Sequence, residues 1–239
     1  MALIKLNTRS IPDNAVTPAK VSQSLGRRNI IINGGMQVWQ RATSATAVTN
    51  SSYGTVDRFR FWENTDGAYT AEQSTDVPSG QGFSYSTKLQ VTTADTSIAA
   101  GQYAQFAQRI EAQNLQQLCY GTSTSNAMEV YITLAMGSNY QGATDNSWST
   151  NTSHYTTSSN VNWLDSTSNN FYLTGVQLEV GDTATDFEHR SYAEELAVCQ
   201  RYYEVTQGGT TEYAETTGDY YISVPFRVQK RAAPTLTTL

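Results

Sequence analysis

Residues 176–205, VQLEVGDTATDFEHRSYAEELAVCQRYYEV, hold the chain's densest set of reactive side-chain types. They include the adjacent Glu194 and Glu195, His189 between Glu188 and Arg190, Cys199, and Tyr192, Tyr202 and Tyr203. Such a set could serve acid–base or thiol chemistry. Its spacing points to architecture instead. Ser191 followed three residues later by Glu194 is the capping-box pattern that opens a helix. Glu194 and Glu195 then fall in the first turn and Arg201 in the last, as the helix macrodipole prefers. Tyr192, Leu196, Cys199 and Tyr203 recur at helical spacing and form an apolar stripe. His189 and Arg190 lie in the turn before the helix. The acids are assigned to capping and the thiol to burial. Gln at both 194 and 195 is expected to alter stability only slightly and to cause no catalytic defect.

Elsewhere, neither His154 nor His189 has a His or Cys at metal-ligand spacing. There is no G-x-S-x-G elbow and no G-x-x-x-x-G-K-[ST] loop. A glycosidase needs only two facing carboxylates, and Asp57, Glu63, Asp66, Glu111 and Asp165 could supply a pair in space. No enzyme and no cofactor are expected. Sugar binding is the better functional idea, because it asks for aromatic faces ringed by Asn, Gln, Asp and Tyr in a preformed site. The polar loop 138–170 carries Trp148, Tyr155, Trp163 and Asp165, the glycan-binding candidates. Trp148 and Trp163 could equally pin that loop to the body of the fold.

Composition narrows the class. The 239 residues carry a formal net charge of -6 and only 15% charged side chains, against about 25% in an ordinary soluble domain. Acidity without Lys/Arg clusters disfavours nucleic acid and anionic membranes as partners. No stretch approaches the roughly 20 apolar residues of a membrane span, and no apolar run near Met1 reads as a signal peptide. Synthesis in a cytoplasm without general export is expected. Cys119 and Cys199 are read as two buried thiols, with one long-range disulfide as the alternative.

Along the chain, residues 1–28 lack periodicity and contain Pro12 and Pro18, which favour extended backbone. They read as an attachment arm, with Ile11, Pro12, Val16, Arg27 and Arg28 as anchoring candidates. A free tail is the alternative. NIIINGGMQVWQR reads as strand, turn, strand. In VDRFRFWE, alternation places Val56, Arg58, Arg60 and Trp62 on one face and Asp57, Phe59, Phe61 and Glu63 on the other. AYTAEQS, FSYSTKLQVTT, GQYAQFAQRIEA, MEVYITLAMG and NFYLTGVQLEV continue at strand length, and 112–118 could form a helical turn. The expected fold is all-β: a jelly-roll-like sandwich over 29–190, a bridging helix over 191–204, and the start of a C-terminal β unit over 205–239, where DYYISVPFRV alternates as a strand.

RRNIIINGGMQVWQR, VDRFRF, QRIEAQNLQQLCYGTS and TGVQLEVGDTATDFEHRSYAEELAVCQRYYEV together resemble a family of bacteriophage tail-fibre and related virion proteins of marine and cyanobacterial phages. The resemblance covers roughly residues 27–236, and the last block is its most specific part. It implies a jelly-roll-like, carbohydrate-binding-like virion protein, a homotrimeric tail fibre taking part in host-cell attachment. Its partners would be other tail or adaptor proteins, through the arm, and a host-surface glycan. A capsid decoration protein, head fibre or tail adaptor without a receptor site is the alternative, and a polysaccharide depolymerase a remote one. Similar proteins carry more strands between the Cys119 and Met128 elements and continue beyond RAAPTL, so omitted segments are expected, with a compact variant as the alternative.

Overall fold

The computed structural model describes residues 28–46, 48, 52–111, 126–144, 154–206, 210–212, 221–223 and 225–237. The chain is all-β, with one helix among those residues. Its strands are β1 (Ser44–Ala45), β2 (Phe59–Glu63), β3 (Ala68–Ser74), β4 (Ser86–Thr93), β5 (Tyr103–Glu111), β6 (Asn126–Met136) and β7 (Asn170–Leu173). Helix α1 (Tyr192–Gln200), β8 (Thr210–Glu212) and β9 (Tyr221–Ser223) follow. Two antiparallel sheets, ordered β1-β3-β4-β7 and β2-β5-β6, face each other as a sandwich, and β8 pairs with β9 separately. The seven described sandwich strands stop short of the eight of a full jelly roll, so the fold is defined by its two sheets.

Period-two alternation decides what each strand buries. Phe59 and Phe61 of β2, Phe106 and Ile110 of β5, Tyr69 and Ala71 of β3, and Leu89 and Val91 of β4 point between the sheets and are buried in one cluster. Phe59 stacks on Phe106 at 5.0 Å, and Phe61 meets Tyr69 of the opposite sheet edge-on at 5.9 Å. Rings in these geometries add to the area they bury.

The Ile30–Ile32 run is not a strand. Residues 31–35 form turns, with Asn33 at φ 61° and Met36 at φ 51°. Asn33 is fully buried and all its amide capacity is used. Its Oδ1 accepts from the Gln37 and Val38 amides at 2.9 and 3.0 Å, and its Nδ2 donates to the Val38 and Asp57 carbonyls at 2.9 and 3.0 Å. Asn tolerates the left-handed region because its short amide bonds locally. The alternation expected from Val56 also starts late. Val56 and Asp57 are both buried, and Arg58 at φ 73° breaks the pattern before β2 begins. NFYLTGVQLEV is strand only to Leu173, since Gly175 at φ 70° takes the chain out of the sheet.

The helix keeps its capping box: Ser191 accepts from the Glu194 amide, and Glu194 accepts from the Ser191 amide at 3.0 Å. The predicted apolar stripe is corrected. Tyr192 is exposed, and the buried face consists of Glu195, Val198, Cys199 and Gln200. Val198 and Cys199 pack on Ile32 and Val38. The Cys199 thiol is free, and burial pushes its pKa well up, which suits packing rather than reactivity. Glu195 is no cap. It is buried, accepts from the Asn33 amide at 2.5 Å and pairs with Arg190 at 3.4 Å, so replacing it is now expected to cost more than the small effect read from the sequence. The cation at the helix C-terminus comes from far along the chain: Lys230 donates to the Gln200 carbonyl at 2.6 Å.

Glu63 ends β2 on the core side and is 2% exposed, with Oε2 unpartnered. Burial, opposed by the hydrogen bond from Thr65 and reinforced by repulsion from Asp95, raises its carboxyl from an ordinary 4.5 to about 7. The unfolded chain therefore loses this proton first. Its stabilising effect is complete below pH 4.5 and fades as pH rises to about 7, with a slope of at most ~1.4 kcal/mol per pH unit. Glu63→Gln is expected to match the native protein in thermal melts near pH 4.5 and to exceed it at pH 8. Equal melting temperatures at both pH values would contradict the raised pKa.

No helix among the described residues is long and apolar enough to cross a membrane.

Candidate functional site

The outer face of the β2-β5-β6 sheet carries the chemistry. Register sets it: Trp62 lies opposite Gln105, which lies opposite Thr133, and Arg60 lies opposite Ala107, which lies opposite Tyr131. Side chains in these two rows share one face because strand residues alternate. The loop after β6 adds Tyr140 from the short 3₁₀ turn Ser138–Tyr140. Tyr155 is brought beside it by backbone pairing, its amide donating to the Tyr140 carbonyl at 3.0 Å.

Five aromatic rings form a closed circuit there. Centroids lie 6.3 Å apart for Trp62–Tyr103, 5.7 Å for Tyr103–Tyr140 and 6.0 Å for Tyr140–Tyr155. The circuit closes with 5.5 Å for Tyr155–Tyr131 and 6.2 Å for Tyr131–Trp62. Tyr155 is 44% exposed, and the other four are half-buried. The Trp62 indole donates to the Tyr103 hydroxyl at 2.7 Å, which fixes both rings. Arg60 stacks on Trp62 with its guanidinium 3.6 Å from the ring centroid, and two of its buried nitrogens have no hydrogen-bond partner. Arg109 pairs with Glu129, which also accepts from the Tyr131 hydroxyl. Burial first, and then the contact with Glu129, raise the Tyr131 pKa and keep that hydroxyl protonated. A rigid aromatic surface edged by fixed donors and acceptors is what a sugar face stacks on.

The same face runs into a cavity of about 220 Å³ where α1 and the chain after it meet the sheet. Arg41, Arg58, Arg109 and Arg231 line it with Asp57, Glu111, Tyr53, Tyr202 and Tyr203. Arg58 lies 3.5 Å from the Tyr202 ring centroid and Arg41 3.7 Å from that of Tyr203. Both carboxylates are engaged. Asp57 is held by Gln40 and by Arg41 at 3.1 Å, and Glu111 accepts from the Tyr202 hydroxyl at 2.7 Å and faces Arg58 at 3.5 Å. Burial raises the Asp57 pKa against those contacts. Arg58 holds a left-handed backbone here, a strain of about 1–3 kcal/mol for a residue with a Cβ.

The sequence candidates scatter. Tyr155 belongs to the aromatic circuit. Trp163 does not: it meets Tyr69 of the core edge-on at 5.6 Å, so it pins its loop to the sandwich. Asp165 is exposed and accepts from the Asn169 amide at 2.7 Å within its own turn. Trp148, Ile11, Pro12, Val16, Arg27, Cys119 and the 112–118 turn lie outside the described residues. Arg28 is bound within the chain rather than left for an outside acid. It pairs with Glu179 at 3.1 Å and donates to the Asp186 carbonyl, and its amide donates to Glu188 at 3.0 Å. His189 packs against Phe83 and Phe187 at 5.0 and 4.9 Å. Among the described residues no three His, Cys, Asp or Glu side chains converge as a metal site.

Sequence reasoning missed Trp62, Tyr103, Tyr131 and Tyr140, and with them Arg58, Tyr202 and Arg231. Alternation in FRFWE and MEVYITL does place Trp62 and Tyr131 away from the core. An outward Trp beside an outward Arg was the readable signal.

No family model, no curated protein and no solved structure matches the chain.

Proposed function

We propose that the chain is the glycan-recognising β-sandwich of a bacteriophage tail fibre, taking part in host-cell attachment. The observation that carries the recognition half is the closed circuit of Trp62, Tyr103, Tyr140, Tyr155 and Tyr131 on the outer face of one sheet. Preordered rings bind without the cost of ordering a loop, and their tilted packing leaves edges and hydroxyls for a polyhydroxylated partner. The fibre half rests on the family resemblance of residues 27–236, which also supplies the homotrimer and the docking role of residues 1–28. The site is read as a binding face, not as a catalytic one.

The test is binding of the purified chain to host-surface polysaccharide, read by calorimetry or a glycan array. Trp62→Ala is expected to weaken binding by about 2 kcal/mol, roughly 30-fold, as truncation of a central aromatic anchor does. Trp62→Phe should recover part of it, with thermal melts confirming the fold. Wild-type affinity in Trp62→Ala would remove the aromatic face from the reading. Imaging of the particle with this chain on the head lattice would replace the fibre by a decoration protein.

A further inference from the structure

We infer that the arginine-lined cavity beside the aromatic face is an oxyanion pocket that receives the carboxylate of an acidic sugar. The inference rests on the glycan-binding reading above and names the class of glycan. Four guanidinium groups and two carboxylates line the cavity, an excess of positive charge in a chain whose net charge is -6. Asp57 pairs with Arg41, Glu111 with Arg58, and Glu129 beside the cavity with Arg109, so the positive charge left over is that of Arg231. Arg58 is 6% exposed, and its Nε is buried without an acceptor. Arg231 lies 5.3 Å from the Tyr202 ring, with no carboxylate paired to it among the described residues. A donor without an acceptor at the base and a cation without a counter-ion at the mouth both call for an anion.

Shape selects a planar one. Guanidinium forks match carboxylates in two-point geometry, and the rings of Tyr53, Tyr202 and Tyr203 offer apolar walls for the sugar that carries it. The volume, about 220 Å³, lies below the ~300–1,000 Å³ of pockets that enclose a larger ligand. It admits one small residue or a chain end. Arg109 lines the cavity and also lies 5.9 Å from the Trp62 ring, so a glycan on the aromatic face can place an acidic residue in the cavity.

The experiment is calorimetric titration of the full chain, at low and high salt, with an oligogalacturonate, a neutral oligosaccharide of equal length and inorganic phosphate. The oligogalacturonate is expected to bind at least tenfold more tightly than the neutral chain. Arg231→Gln and Arg58→Met should each abolish that preference, and Trp62→Ala should weaken both sugars alike. Arg231 is exposed, so its variant separates binding from folding. Equal affinity for the two oligosaccharides, or a preference that survives Arg231→Gln, overturns the inference and leaves the aromatic face standing. Binding of phosphate alone, lost in Arg231→Gln, leaves a bare oxyanion site and overturns the sugar assignment together with the glycan-binding reading. No binding of any probe overturns both.

Discussion

Glu195→Ala is expected to destabilise the fold by about 3 kcal/mol or more, because it removes one partner of a buried ion pair and leaves the other charged. Two groups lose their acceptor at once. The Asn33 amide donates to Glu195 Oε1 at 2.5 Å, inside the turn that positions Val38 and Asp57. Arg190, whose side chain is 7% exposed, faces the same carboxylate at 3.4 Å and keeps only Glu188, at 2.9 Å, as an ionic partner. Cutting this contact leaves α1 held to the 29–38 segment by the packing of Val198 and Cys199 on Ile32 and Val38. Glu195→Gln should fall between, since an amide oxygen still accepts from Asn33 but carries no charge for Arg190. Glu194→Gln should cost no more than about 1 kcal/mol, the scale of a cap. Urea unfolding separates the three. A Glu195→Ala midpoint indistinguishable from the native one would show that the buried network holds nothing together.

Gly34→Ala is expected to cost about 4 kcal/mol, near the upper end for a single substitution that forces a packed backbone apart. A Cβ at Gly34 would stand 2.1 Å from the Val176 carbonyl oxygen and 3.2 Å from Asn29 Nδ2. Neither neighbour can yield cheaply. Val176 donates to the Gly34 carbonyl at 2.9 Å, Asn29 Nδ2 donates to the Val176 carbonyl at 3.0 Å, and Ile30 donates to the Leu178 carbonyl at 2.8 Å. These bonds tie the segment after Arg28 to the segment after β7, so moving one residue opens the seam. Gly35→Ala is the control: its Cβ would meet nothing closer than 3.5 Å. A melting temperature for Gly34→Ala equal to that of Gly35→Ala would mean the seam can shift freely.

Both positions were visible in the sequence: the turn at Gly34 was read as a turn and Glu195 was misread as a cap, and both readings missed the tertiary contact for the same physical reason. INGG carries turn residues, and Glu195 stands in the first turn of a capped helix, so local rules offered a complete account of each. Neither rule contains the partner: Asn33 is far from Glu195 in the chain, and Gly34 is far from Val176. Trp163 shows the converse. Its loop looked like a sugar site, yet the ring that claims it, Tyr69, lies on β3.

By itself the sequence determined what short-range physics controls. Alternation marked β2 to β6 and sorted Phe59, Phe61 and Trp62 onto opposite faces. Ser191 and Glu194 placed the helix start, and composition marked an acidic, polar, all-β chain. Tertiary structure alone decided the candidate site. The aromatic circuit draws on two strands, a strand end and two loop positions, and the cavity draws on residues from Arg41 to Arg231. Both exist only once the register of β2, β5 and β6 is set and α1 is docked. Register is a long-range choice made by the whole buried face, and no window of the sequence contains it.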